Sequence, residues 1–68
     1  HERRLGKFDG SRHMIRIWEN LGSGERHIEI MDKEQGTTVL IETLDEVVEM
    51  IEMLVKAGVM LNESKTDC

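Results

Sequence analysis

Apolar and polar residues alternate between Arg12 and Glu42, in three runs separated by two glycine-containing loops. The middle run, Arg26-His27-Ile28-Glu29-Ile30-Met31-Asp32, sends Ile28 and Ile30 to one side and His27, Glu29 and Met31 to the other. That period of two predicts a half-buried strand. Both neighbouring runs match it in a register that the side chains specify. With Leu21-Gly22-Ser23-Gly24 as a loop, Ile17 faces Ile28 and Ile15 faces Ile30, while on the other side Trp18 faces His27, Arg16 faces Glu29 and Met14 faces Met31. Glu19 opposite Arg26 and His13 opposite Asp32 add complementary charges. With Lys33-Glu34-Gln35-Gly36 as the second loop, Val39 faces Ile30, Ile41 faces Ile28, Leu40 faces Glu29, Thr38 faces Met31 and Glu42 faces His27. Such cross-strand pairs contribute about 0.2–1 kcal/mol each, and a one-residue slip would break every one of them. Strands are therefore expected over 12–20, 25–32 and 37–42.

From Thr43 the period changes. Thr43-Leu44-Asp45-Glu46 has the form of a capping box, with Asp45 and Glu46 suited to the positive end of a helix dipole. Leu44, Val47, Val48, Ile51, Leu54 and Val55 then share one face at helical spacing, and Gly58 is the natural place for a left-handed C-terminal cap. Met50, Met53 and Ala57 widen the apolar arc well beyond the ~100° stripe of a surface helix, leaving Asp45, Glu49, Glu52 and Lys56 as the polar side. Met50, Met53, Ala57 and Met60 are the residues expected to meet the same helix of a second copy, because two-fold self-association is the commonest oligomer.

The predicted fold is α+β: a three-stranded antiparallel β-meander with one C-terminal α-helix packed on its isoleucine face (β-β-β-α), acting as a homodimer. Residues 12–61 form the single domain. Residues 1–11, with charge, two glycines and only Leu5 and Phe8 as large apolar residues, read as a flexible basic N-terminal arm, and residues 62–68 as a flexible C-terminal tail. This element order recurs in unrelated small proteins, single-strand-binding folds and antitoxin-like or phage-encoded regulators among them, and transfers no function.

Length sharpens the case for a partner. A chain of 68 residues sits where burial and entropy nearly cancel, and its one cysteine, Cys68, cannot close an intramolecular disulfide. The net charge of −5 opposes generic binding to nucleic-acid backbones or anionic membranes. Six basic residues nevertheless fall in the first 26 positions: Arg3, Arg4, Lys7, Arg12, Arg16 and Arg26. No apolar run approaches ~20 residues and no signal-peptide pattern is present, so a cytoplasmic protein with no membrane partner is expected.

With the helix on the isoleucine side, the other side of the sheet is open. Met14, Arg16, Trp18, His27, Glu29, Met31 and Leu40 form a flat patch whose residue types are those enriched in binding surfaces. Catalysis is not expected there. Trp18, His27 and Glu42 share a row, but no nucleophile stands beside them and a flat sheet offers no pocket. His13 and His27 lie on opposite faces and cannot share a metal ion, no Cys/His grouping has zinc-site spacing, and no cofactor is implied. Leu21–Gly24 joins two strands rather than a strand to a helix, so it is a turn and not a phosphate cradle.

Two functional readings follow. The first is a small acidic, non-enzymatic regulator or inhibitor of another protein, of the kind carried by phages and mobile elements. It would dock through the outer sheet face or through an acidic helix mimicking a nucleic-acid backbone. The alternative is a single-stranded nucleic-acid binder, with bases stacked on Trp18 and Arg3, Arg4, Lys7 and Arg16 on the phosphates.

Overall fold

The computed structural model describes residues 1–66, with side chains described to residue 63; Cys68 lies outside that range. The sheet has four strands, in the order β1 (Glu2–Asp9), β2 (His13–Asn20), β3 (Arg26–Asp32) and β4 (Thr38–Ile41), all antiparallel. The helix α1 spans Leu44–Thr66. The three-stranded expectation is thus corrected at its N-terminal side, where the stretch read as an arm is an edge strand.

Between β2 and β3 all seven pairs stand in the register read from the sequence, from His13 opposite Asp32 to Glu19 opposite Arg26. Between β3 and β4 the four pairs from Ile28–Ile41 to Met31–Thr38 do likewise. Both connecting loops are built the same way. Asn20 Oδ1 accepts from the N–H groups of Gly22 and Ser23 at 2.9 and 3.1 Å, and Asp32 Oδ1 accepts from those of Glu34 and Gln35 at 2.9 and 3.2 Å. Each loop ends in a left-handed glycine, Gly24 (φ 77°) and Gly36 (φ 74°), where an L side chain would be strained. Asp32 is also held by the Arg12 guanidinium at 2.8 and 3.2 Å, which, with those two backbone donors, draws its carboxyl far below the ordinary carboxylate range. Arg12, rather than the opposing His13, is the side-chain partner of Asp32.

Strand β1 reaches β2 through a tight turn closed by Gly10 N–H donating to His13 O at 2.8 Å. Lys33 ties this end together by donating to Gly10 O at 2.7 Å and pairing with Asp9. Arg4 sits opposite Trp18 and Gly6 opposite Ile17, so Leu5 is an extra residue with no partner across the ladder, a β-bulge. The inside–outside alternation reverses there. Phe8 and Gly6 lie on the isoleucine side with Ile15 and Ile17. Lys7 and Arg4 lie on the tryptophan side with Arg16 and Trp18.

Thr43 caps α1 much as its sequence predicts. Its Oγ1 accepts from Glu46 N–H at 3.2 Å, and the Glu46 carboxylate reaches back to Glu42 N–H at 3.3 Å. The helix does not stop at Gly58. That residue has no positive φ, and the roughly 1 kcal/mol by which glycine disfavours a helix interior does not outweigh the helix-compatible residues around it. Nor does α1 pack closely on the sheet. The strands approach one another along their length, but the helix makes no comparable approach to any of them. Val47, Met50, Ile51 and Leu54 instead face Ile15, Ile28, Ile30 and Ile41 across an open apolar cleft of about 230 Å³. The molecule measures 54 × 26 × 16 Å. Among the described residues only Met14 (8% exposed) and Ile41 (5%) are buried hydrophobics, and no side chain is fully enclosed.

Candidate nucleic-acid interface

The outer face is organised by Glu29. Its Oε1 accepts from both Nε and Nη2 of Arg16 at 2.6 Å and from Trp18 Nε1 at 3.3 Å. Arg16 and Trp18, two apart on β2, point to the same side, and the guanidinium carbon lies 5.5 Å from the centre of the indole ring. All three side chains are half-buried. The cluster therefore fixes the indole in one orientation with a cation against it. His27 sits opposite Trp18 on β3, with Nδ1 3.6 Å from Glu2 Oε2.

β1 adds the component that a three-stranded sheet lacked. Arg4 stands opposite Trp18 and Lys7 opposite Arg16, so two exposed cations border the aromatic cluster. Lys7 has only a 3.5 Å pairing with Asp9, and among the described residues Arg4 makes no ion pair. Asp9 itself is engaged by Lys33, with Lys7 alongside, and its carboxyl is held below the ordinary range chiefly by the Lys33 hydrogen bond. Arg3 belongs elsewhere. It points to the isoleucine side, where it pairs with Glu19 at 2.6 Å, and Arg26 holds the other oxygen of the same carboxylate at 3.1 Å. Those bonds, Arg26 foremost, lower the Glu19 pKa. Of the basic residues expected to contact nucleic acid, Arg4, Lys7 and Arg16 thus gather around Trp18, and Arg3 does not.

The other residues of the predicted patch fall on the same face with unequal exposure. Leu40 is exposed and Met31 half-buried, while Met14 is closed in by its neighbours. Glu42 does not continue the His27 row as strand; it lines, with Asn20, Glu25, Arg26 and His27, an open polar hollow of about 470 Å³ that has no hydroxyl or thiol among its lining side chains. Of the four residues predicted to join two helices, Met50 is half-buried over the cleft, and Met53, Ala57 and Met60 are exposed. Among the described residues no group of three or more His, Cys, Asp or Glu is placed to hold a metal ion, and no helix is long and apolar enough to cross a membrane.

Charge distribution corrects the picture of an acidic docking module. Residues 1–41 carry seven basic and seven acidic side chains, whereas residues 42–68 carry two and seven, so the whole net charge of −5 belongs to residues 42–68. The sheet surface is balanced, with several arginines and lysines exposed, and the reading of an acidic regulator or inhibitor docking through that face does not stand. Comparison of the chain with protein-family models, curated proteins and solved structures finds no match.

Proposed function

We propose that this chain binds single-stranded nucleic acid on the outer face of its sheet, acting as a homodimer in the cytoplasm and catalysing no reaction of its own. The observation that carries this reading is the placement of Arg4, exposed and without an ion pair among the described residues, directly across the ladder from the only tryptophan. A base stacks on an aromatic face irrespective of its identity, and neighbouring cations take the backbone. Here Trp18 offers the ring, held by Glu29 and backed by Arg16, while Arg4 and Lys7 form a track along β1. Their partners Trp18 and Arg16 are two residues apart, which spaces the two cations by roughly 7 Å along the strand.

The negative helix does not defeat this arrangement. It lies on the isoleucine side, with the sheet between it and the outer face. At physiological salt the Debye length is about 8 Å, so its field on the far side is largely screened. Titrating the chain with oligothymidylate while following Trp18 fluorescence tests the proposal. Quenching that weakens with added salt is the expected result, and unchanged emission at low salt with excess oligonucleotide would overturn it.

A further inference from the structure

We infer that in the homodimer the second half of each helix lies across the isoleucine face of the other copy, filling what a single chain leaves open. The inference rests on the homodimer reading above and is independent of nucleic-acid binding. Its starting point is geometric. The first three turns of α1 stand over the chain's own sheet, where Val47, Met50 and Leu54 line the cleft. At 1.5 Å per residue the twelve residues from Val55 to Thr66 continue for about 18 Å more.

The first part of this overhang, to Leu61, is apolar except for Lys56. Val55, Val59, Met60 and Leu61 are each more than half exposed, Met60 at 70%. Matching surface remains bare on the sheet. Phe8 (68% exposed), Val39 (52%) and Ile15 all lie on the isoleucine side, which the chain's own helix only partly roofs. Donor and acceptor sets belong to the same chain, so a two-fold axis satisfies both at once and closes the assembly.

The exposed apolar area sets how much such a contact can bury. Twelve large apolar side chains on the helix and the isoleucine side are on average a little over half exposed. Taking on the order of 60–120 Å² per fully buried aliphatic side chain, a pair of chains can remove at most roughly 850–1,700 Å² from water, the upper half of which reaches the range of specific interfaces. With only two buried hydrophobic residues among those described, a single chain has little core, so association and folding form one event.

Sedimentation of the full chain, followed by isotope-filtered NOE spectroscopy on an equal mixture of ¹³C-labelled and unlabelled chains, tests this. A dimer showing intermolecular NOEs from Val59 and Leu61 methyl groups to the Phe8 ring and Val39 methyls is the expected result. A dimer whose intermolecular NOEs join only Met53 and Met60 to one another would overturn the placement and leave the homodimer standing. A cooperatively folded monomer would overturn both, and the face would then belong to another protein or to chain beyond this sequence.

Discussion

Replacing Glu29 by Gln should tighten binding to single-stranded nucleic acid and steepen its salt dependence. In the parent, one oxygen of Glu29 takes two donors from Arg16 and one from Trp18, so the Arg16 charge is neutralised where it stands. Gln keeps an acceptor oxygen at that position and removes the negative charge. With Arg4 and Lys7 as the available cations, and a slope of about −0.7 per phosphate contact for single strands, the parent should lose affinity as roughly the 1.4 power of salt. Freeing Arg16 adds one contact and brings the exponent to about 2.1, so from 50 to 200 mM salt affinity should fall about 18-fold rather than about 7-fold. The exchange weakens a half-buried charge-assisted bond and should cost about 1 kcal/mol of stability, or about 4–8 °C in Tm for a domain of this size. Fluorescence titrations at four salt concentrations give the slope, and circular dichroism confirms the fold. An unchanged or shallower slope in a folded Glu29→Gln protein would refute the idea that Glu29 restrains Arg16.

Trp18→Ala should weaken binding by about 1–3 kcal/mol, the worth of one stacked base, as read by anisotropy of a labelled oligonucleotide. Trp18→Phe should recover most of the loss, and equal defects in the two variants would argue against stacking. Because Asp32 titrates lower in the folded chain than in the unfolded one, its contribution to stability is complete above the ordinary carboxylate pKa of about 3.9 and drains away as pH falls below it. Asp32→Asn should therefore flatten the acid limb of a plot of urea midpoint against pH between 2.5 and 5, and an unaltered limb would contradict the assignment. Gly36→Ala should cost about 1–2 kcal/mol because φ there is left-handed, and Gly58→Ala, where φ is not positive and an added methyl meets nothing, should cost nothing. Equal urea midpoints for these two variants would remove the strain argument.

The β2–β3–β4 register was legible because isoleucines alternate with residues of opposite charge or matched size, and only one alignment satisfies Ile15–Ile30, Arg16–Glu29 and Glu19–Arg26 together. The helix start was legible from Thr43 and Glu46. β1 was hidden for physical reasons. Leu5 and Phe8 fall three apart, which breaks a period of two, and the bulge at Leu5 reverses the faces in mid-strand. Gly6 contributes no side chain where one would crowd Ile17, since a Cβ there would lie 3.3 Å from Ile17 Cγ2. The turn does carry a hairpin signal, Asp9-Gly10, but the irregular apolar spacing before it gave no strand for it to close. Charge complementarity was a second signal, with Arg3 matching Glu19 and Asp9 matching Lys33. The candidate site was legible to the same extent. Trp18, Arg16, Glu29 and His27 come together as read, but Arg3 and Arg4 could be assigned to opposite faces only once β1 was known to be a strand. The helix end misled because a glycine terminates a helix only if its backbone turns left-handed, and Gly58 does not.

The kinked outer margin of β1 also limits how copies of this chain can join. An unpaired strand edge invites further strands and, repeated from copy to copy, fibrillar growth without end. Here that margin carries Glu2, Arg3, Arg4, Lys7 and Asp9 with an unmatched residue in their midst, a poor template for another backbone. The opposite margin is only four residues long before the chain leaves it. Polymerisation by strand addition is discouraged at both borders, so the proposed self-association is steered toward a finite complex.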